Sequence, residues 1–245
     1  MTKLAIRFVL AVSALLFTGQ AIASGDATSS ITPTEAQVRL AEGNARFVAG
    51  ENTFPHFDAA RRKETSQNGQ HPFATVIACS DSRVPVEVLF DQGIGDVFVI
   101  RVAGNVSDTD EIGSIEYGVD HLGTPVMVVL GHKSCGAVTA VVTGAEVHGS
   151  IPPLVDNIEP AVARAKAAHP ELEGKALVPY AVKENVWRSI ADLLKNSPAV
   201  AERAADGRVK VVGAIYDIES GAVEWLGTHP AEELLLEAHG AAARR

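Results

Sequence analysis

Three short runs of apolar, largely β-branched residues govern what this chain can fold into: Phe73–Ala78, Val97–Ile100 and Val126–Leu130. None alternates with polar residues, so the strands they form need cover on both faces. Strands of that kind belong to a mainly parallel sheet flanked by helices, the α/β class. Residues 209–215 make a fourth run, and 222–226 can pair beside it after the Ser220-Gly221 turn. The spacing predicts a helix opened by Thr32, with Pro33 at its first position and Glu35 three residues after the cap, running to about Val48 and stopping at Gly50. Further helices are predicted over 110–122, 158–168 and 180–196, and a polar stretch spans Arg61 to Gln70. With no internal repeat or long linker in 245 residues, the sequence reads as a single α/β domain over 32–245.

The first 23 residues stand apart. Lys3 and Arg7 precede an apolar run from Phe8 to Phe17, and Ala21-Ile22-Ala23 supplies small residues before Ser24. This is the pattern of a secretory signal peptide over 1–23, cut between Ala23 and Ser24. The run is too short to span a bilayer, which takes roughly 20 residues, so no stable membrane anchor is expected. A periplasmic or secreted protein follows, with 24–31 as a flexible lead-in. The formal charge of −9 argues against nucleic acid as a partner.

Two of the apolar runs end in chemically dense clusters. Cys79-Ser80-Asp81-Ser82-Arg83 follows the first, and Gly131-His132-Lys133-Ser134-Cys135-Gly136 follows the third. Open parallel sheets place their sites at the carboxyl ends of strands. The only two Cys of the chain lie in these clusters, 56 residues apart. In an exported chain two Cys can pair as a disulfide. Against that pairing, each lies among polar and Gly residues, and His132 stands three residues before Cys135. Two thiolates and an imidazole form a common zinc set, and catalytic zinc keeps three protein ligands and one open position.

The full strings CSDSRVP (79–85) and GHKSCGAV (131–138) resemble the paired motifs of the β-class carbonic anhydrases. The resemblance extends from Glu35 through Trp225 and includes Gly43-Asn44-Ala45-Arg46-Phe47 and Arg101-Val102-Ala103-Gly104-Asn105. It implies zinc-dependent, reversible hydration of CO2 to bicarbonate and a proton. One Zn2+ per subunit would be held by Cys79, His132 and Cys135. Asp81 and Arg83 resemble the catalytic dyad, in which the arginine grips the carboxylate so that it orients the nucleophilic water. Released, Asp81 would become a fourth ligand and close the site. The plant-like members suggest a substrate pocket of Gln70, Phe98, Tyr117 and Gly136, with Ala103 where those members carry Val. In the family Gln70, Phe98 and Tyr117 would come from the neighbouring subunit, which implies a homodimer, possibly a dimer of dimers.

A second subgroup places a Trp before the first Cys to build a regulatory bicarbonate pocket. Here the tryptophans are Trp187 and Trp225, both downstream, so neither that pocket nor a self-blocked site is expected near neutral pH. Two other activities share these residues: hydrolysis of the CO2 isosteres carbonyl sulfide or carbon disulfide, and a non-catalytic role as a zinc-stabilised binding protein. Intact Asp81, Arg83 and Gly136 disfavour the last.

Overall fold

A computed structural model of the chain describes residues 31–242; the leader over 1–23, and the lead-in except Ile31, lie outside the described residues. Helix α1 (Pro33–Ala49) starts as its sequence predicts. The Thr32 hydroxyl accepts the Glu35 N–H at 3.2 Å, and the Glu35 carboxylate accepts the Thr32 N–H at 2.7 Å. Gly50 closes the helix in the left-handed conformation. The polar stretch is itself mostly helical: α2 (Ala59–Asn68) is capped by the Asp58 side chain and buries no residue. A helix without a buried face has no apolar period to announce it.

Strands β1 (Ala74–Ala78), β2 (Val97–Arg101), β3 (Val126–His132), β4 (Lys210–Tyr216) and β5 (Val223–Gly227) form one sheet in the order β2-β1-β3-β4-β5. The first four are parallel, and β5 runs antiparallel on β4. This is the α/β architecture expected of runs apolar on both faces. The remaining helices are α3 (Val86–Leu89), α4 (Thr109–Glu116), α5 (Gly136–Thr143), α6 (Ile151–Asp156), α7 (Glu159–Ala168), α8 (Val178–Asn196), α9 (Pro198–Ala205) and α10 (Glu232–Ala242). The helix predicted over 110–122 is α4 continued by one π turn, Tyr117–His121. No helix among the described residues is long and apolar enough to cross a membrane.

Successive strand residues supply the two faces. Ile77, Met127 and Val129 pack with Val182, Val186 and Ile190 of α8, while Val76, Val128 and Leu130 pack with Leu40 of α1 and with Phe90. The chain steps from β1 out to β2 and then returns past β1 to β3. That reversal leaves a crevice at the carboxyl ends of β1 and β3, where both chemical clusters emerge.

The segment after α3 is locked to α1. A Cβ at Gly43 would collide with the Phe90 carbonyl oxygen, so only glycine permits this approach. The Asn44 amide donates to the carbonyls of Leu89 and Gly221 and accepts the Val223 N–H. The buried Asp91 carboxylate accepts from Arg46 Nε at 2.6 Å, from the Thr53 hydroxyl and from the N–H groups of Thr53 and Phe54. Burial works against its ionised form, but these donors outweigh it and hold the carboxyl well below the usual carboxylate range. A depressed folded pKa adds stability that is present above the unfolded value of about 3.9 and is lost as pH falls towards the folded one. Asp91→Asn is expected to cost about 3 kcal/mol at neutral pH and to flatten the loss of stability between about pH 4 and the acid transition. Urea unfolding of both proteins as a function of pH measures this.

Candidate metal centre

Cys79 follows β1 directly, His132 is the last residue of β3, and Cys135 caps the amino end of α5. Because β1 and β3 are neighbours, the two clusters meet. The sulfurs of Cys79 and Cys135 and a ring nitrogen of His132 all lie within 4.8 Å of one another, and all three residues are buried. Ser134, at φ +58°, makes the tight turn between His132 and Cys135.

The imidazole is oriented by its own main chain. Nδ1 lies 2.9 Å from the Lys133 carbonyl oxygen, so it carries the proton and donates there. Nε2 is then the bare nitrogen, and it is buried with no hydrogen-bond partner among the described residues. A buried polar atom left unpaired in a native fold calls for an explanation, and a bound ion is one.

The two thiols are unbonded and lie side by side. The Cys135 thiol and the Gly104 N–H (3.3 Å from the sulfur) both favour the Cys79 thiolate and pull its pKa down. The neighbouring Cys79 sulfur and burial push the Cys135 pKa far up. The two sulfurs therefore resist ionising together. A divalent ion removes that conflict by letting both sulfurs ionise. Two sulfurs and one imidazole, buried and convergent, fit such an ion.

Beside the cluster, Asp81 and Arg83 form a bidentate pair. Arg83 Nε and its backbone N–H donate to Oδ1 at 2.9 and 3.0 Å, and Nη2 donates to Oδ2 at 2.7 Å. Chiefly through this grip, the Asp81 carboxyl lies well below the usual carboxylate range. Its Oδ2 stands 4.0 Å from His132 Nε2, so the carboxylate borders the donor cluster while its lone pairs serve the arginine.

Other expected residues divide into two groups. Ala103 and Gly136 flank the cluster: Ala103 starts the turn that brings Gly104 to Cys79, and Gly136 opens α5 right after Cys135. A Cβ at Gly136 would meet nothing within 4 Å, so local packing does not demand glycine there. Gln70, Phe98 and Tyr117 are not brought to the cluster within one chain. Phe98, on the edge strand β2 and three residues short of its carboxyl end, pairs at 5.8 Å with Tyr117 of the π turn. Tyr117 is exposed and stacks on His121. Gln70 is exposed beyond the end of α2, with no hydrogen bond to any described residue.

Sequence reasoning assigned no role to Arg101. Its Nε donates to the Cys79 carbonyl at 3.2 Å and its Nη2 to the Asp81 carbonyl at 2.5 Å, fixing the loop that carries both side chains. It also passed over Asn185 and Ser189, two buried polar residues of α8 bonded to the Gly104 turn. Their signal was available, since they fall one helical turn apart within the apolar stripe of Val182, Val186 and Ile190.

Comparison with known proteins agrees with this geometry. The family model described as carbonic anhydrase matches residues 74–223. A carbonic anhydrase of Mycolicibacterium smegmatis is 40% identical over 197 residues, covering 78% of this chain and 92% of that protein. A carbonic anhydrase of Pseudomonas aeruginosa is 38% identical over 165 residues, covering 64% and 74%. Among solved structures, the β-carbonic anhydrase CafA of Aspergillus fumigatus superposes with a TM-score of 0.67 at 27% identity, covering 85% of this chain and 97% of that one. The β-carbonic anhydrase CcaA gives 0.62 at 29%, covering 78% and 98%. Fold, convergent Cys-His-Cys cluster and relatives agree: the chain is an enzyme of the β-carbonic anhydrase family.

Proposed function

We propose that this enzyme catalyses the reversible hydration of CO2 to bicarbonate and a proton, with one zinc ion held by Cys79, His132 and Cys135. The observation that carries this reading is the buried three-donor cluster with an ionised, arginine-held carboxylate at its border. When bound, the ion supplies a Lewis acid that lowers the pKa of water from 15.7 towards about 7 in the most favourable sites.

The chain's own groups do the rest. Asp81 stays ionised because Arg83 grips both its oxygens, so it can only accept hydrogen bonds. Accepting one from the attacking water turns that water's free lone pair towards the carbon of CO2. The same grip ties Asp81 up, which keeps it from becoming a fourth ligand and leaves the site open. Arg101 keeps the Cys79–Asp81 loop from shifting during this work. Gly136, with no side chain, leaves its N–H open to a bicarbonate oxygen, and Ala103 forms a wall beside it.

Gln70, Phe98 and Tyr117 complete the pocket from a second copy of the chain. Support comes from position: the half-buried Phe98 lies on the edge strand of the sheet, and the exposed Tyr117 packs against it from the π turn. Two solved β-carbonic anhydrases from Sordaria macrospora are tetrameric, and one superposes on this chain at 27% identity with a TM-score of 0.60. Export by the 1–23 leader places the reaction in the periplasm or outside the cell.

Stopped-flow CO2 hydration, together with metal analysis, tests the centre. Cys79→Ser is expected to lose both zinc and turnover. Arg83→Ala should retain zinc but fall about a hundredfold or more in kcat/KM. Zinc-free protein that still hydrates CO2 at the full rate would refute the assignment. Subunit sharing is checked by co-refolding Gln70→Ala with Cys79→Ser: mixed dimers should regain activity that neither variant has alone. Mass spectrometry of exported protein should find Ser24 at the amino terminus.

A further inference from the structure

The Gly104 amide that faces the Cys79 sulfur is held in place from outside the ligand set. Gly104 and Asn105 both have positive φ, +73° and +44°, and the Asn105 N–H donates to the Val102 carbonyl. This double left-handed turn aims the Gly104 N–H at the sulfur, 3.3 Å away. A left-handed asparagine beside a left-handed glycine is sparsely populated backbone, and it persists only where neighbours over-determine it.

The neighbours that do so belong to α8. Asn185 Nδ2 donates to the Gly104 carbonyl at 2.6 Å, and the Ser189 hydroxyl lies 2.9 Å from the Asn105 carbonyl and 3.0 Å from that of Asn185. Both side chains are at least 98% buried among Val182, Val186 and Ile190. Asn185 Oδ1 has no hydrogen-bond partner among the described residues. A leucine would fill similar space with no orphaned oxygen. The amide's presence therefore marks a requirement for its donor half.

We propose that Asn185, braced by Ser189, is a positioning residue that holds the Gly104 N–H on the Cys79 sulfur and so sets how strongly this sulfur donates to the bound metal. The inference rests on the metal reading given above and deepens it. Two thiolates neutralise a divalent ion and weaken its pull on water. An N–H directed at one sulfur draws charge away from the metal and restores part of that acidity. Partners one bond beyond the ligands commonly tune metal sites in this way.

Cobalt(II) substituted for zinc makes the effect visible, because cysteinate-to-cobalt charge transfer absorbs in the near ultraviolet. Asn185→Ala, folded and cobalt-loaded, should shift this band to longer wavelength, since a sulfur that has lost its N–H partner gives up an electron more easily. Ser189→Ala should move the band the same way by less, and it carries the test if Asn185→Ala does not fold. Val186→Ala, which loosens the same helix without touching the turn, should lower the Tm and leave the band in place. An unmoved band in either folded Asn185 or Ser189 variant overturns the proposal, as does an equal shift in Val186→Ala. If the parent protein shows no cysteinate-cobalt band, the metal reading itself fails and this inference falls with it.

Discussion

Two thiols buried against each other cannot both ionise unless a cation shares their charge. That constraint organises this molecule. Cys79 and Cys135 sit at the carboxyl ends of neighbouring strands, and the bare nitrogen of His132 completes a triangle too tight and too dry for three uncompensated donors. Almost every polar group nearby deals with this charge. Backbone N–H groups of Gly104, Ala137 and Val138 favour thiolate, and Arg83 absorbs the negative charge of Asp81. Lys133 contributes its carbonyl to hold the imidazole proton on the far side of the ring.

Such a site can be held only by a rigid frame, because a shift of 1 Å in any donor breaks the set. The frame comes from the order of strands. Strand order reverses after β2, which opens the crevice between the parallel β1 and β3, and the apolar faces of those strands are clamped between α8 and α1. Ladder bonds then pass the rigidity on: the Val102 N–H donates to Ala78, and the Ser80 N–H donates back to Val102, so the Gly104 turn and the Cys79 loop move as one body. Arg101 adds a side-chain strut to the same loop.

How much of this was legible in the sequence follows from what each feature depends on. The strands and the capping box of α1 are local, written in β-branched runs and in Thr32-Pro33-Thr34-Glu35, and the structure reproduces them. Convergence of Cys79 with His132 and Cys135 was legible because both clusters end strands of one parallel sheet. Helix α2 was not, since a helix exposed on all sides leaves no periodic trace. Helix α5 was hidden within the ligand motif, where Gly136 reads equally as a turn. Asn185 and Ser189 stand out in the sequence as polar residues within an apolar stripe, but what they and Arg101 hold does not, because their partners are main-chain carbonyls 20 or more residues distant.

The segment Gly43–Phe47 shows why a family-like motif is not by itself evidence of chemistry. It shares in the resemblance as fully as the ligand clusters do, yet none of its contacts reaches the sulfurs. Gly43 removes a collision with the Phe90 carbonyl, Asn44 ties α1 to Leu89 and to the start of β5, and Arg46 neutralises the buried Asp91. Asn44 and Asn185 are the same residue type, each buried and each bonded to main chain. What separates them is where the bonded backbone leads. From Asn44 it leads to the α3 segment and the edge of the sheet, and a defect there would be felt as lost stability. From Asn185 it leads through one residue, Gly104, to the Cys79 sulfur, so the same kind of defect would be felt by the metal.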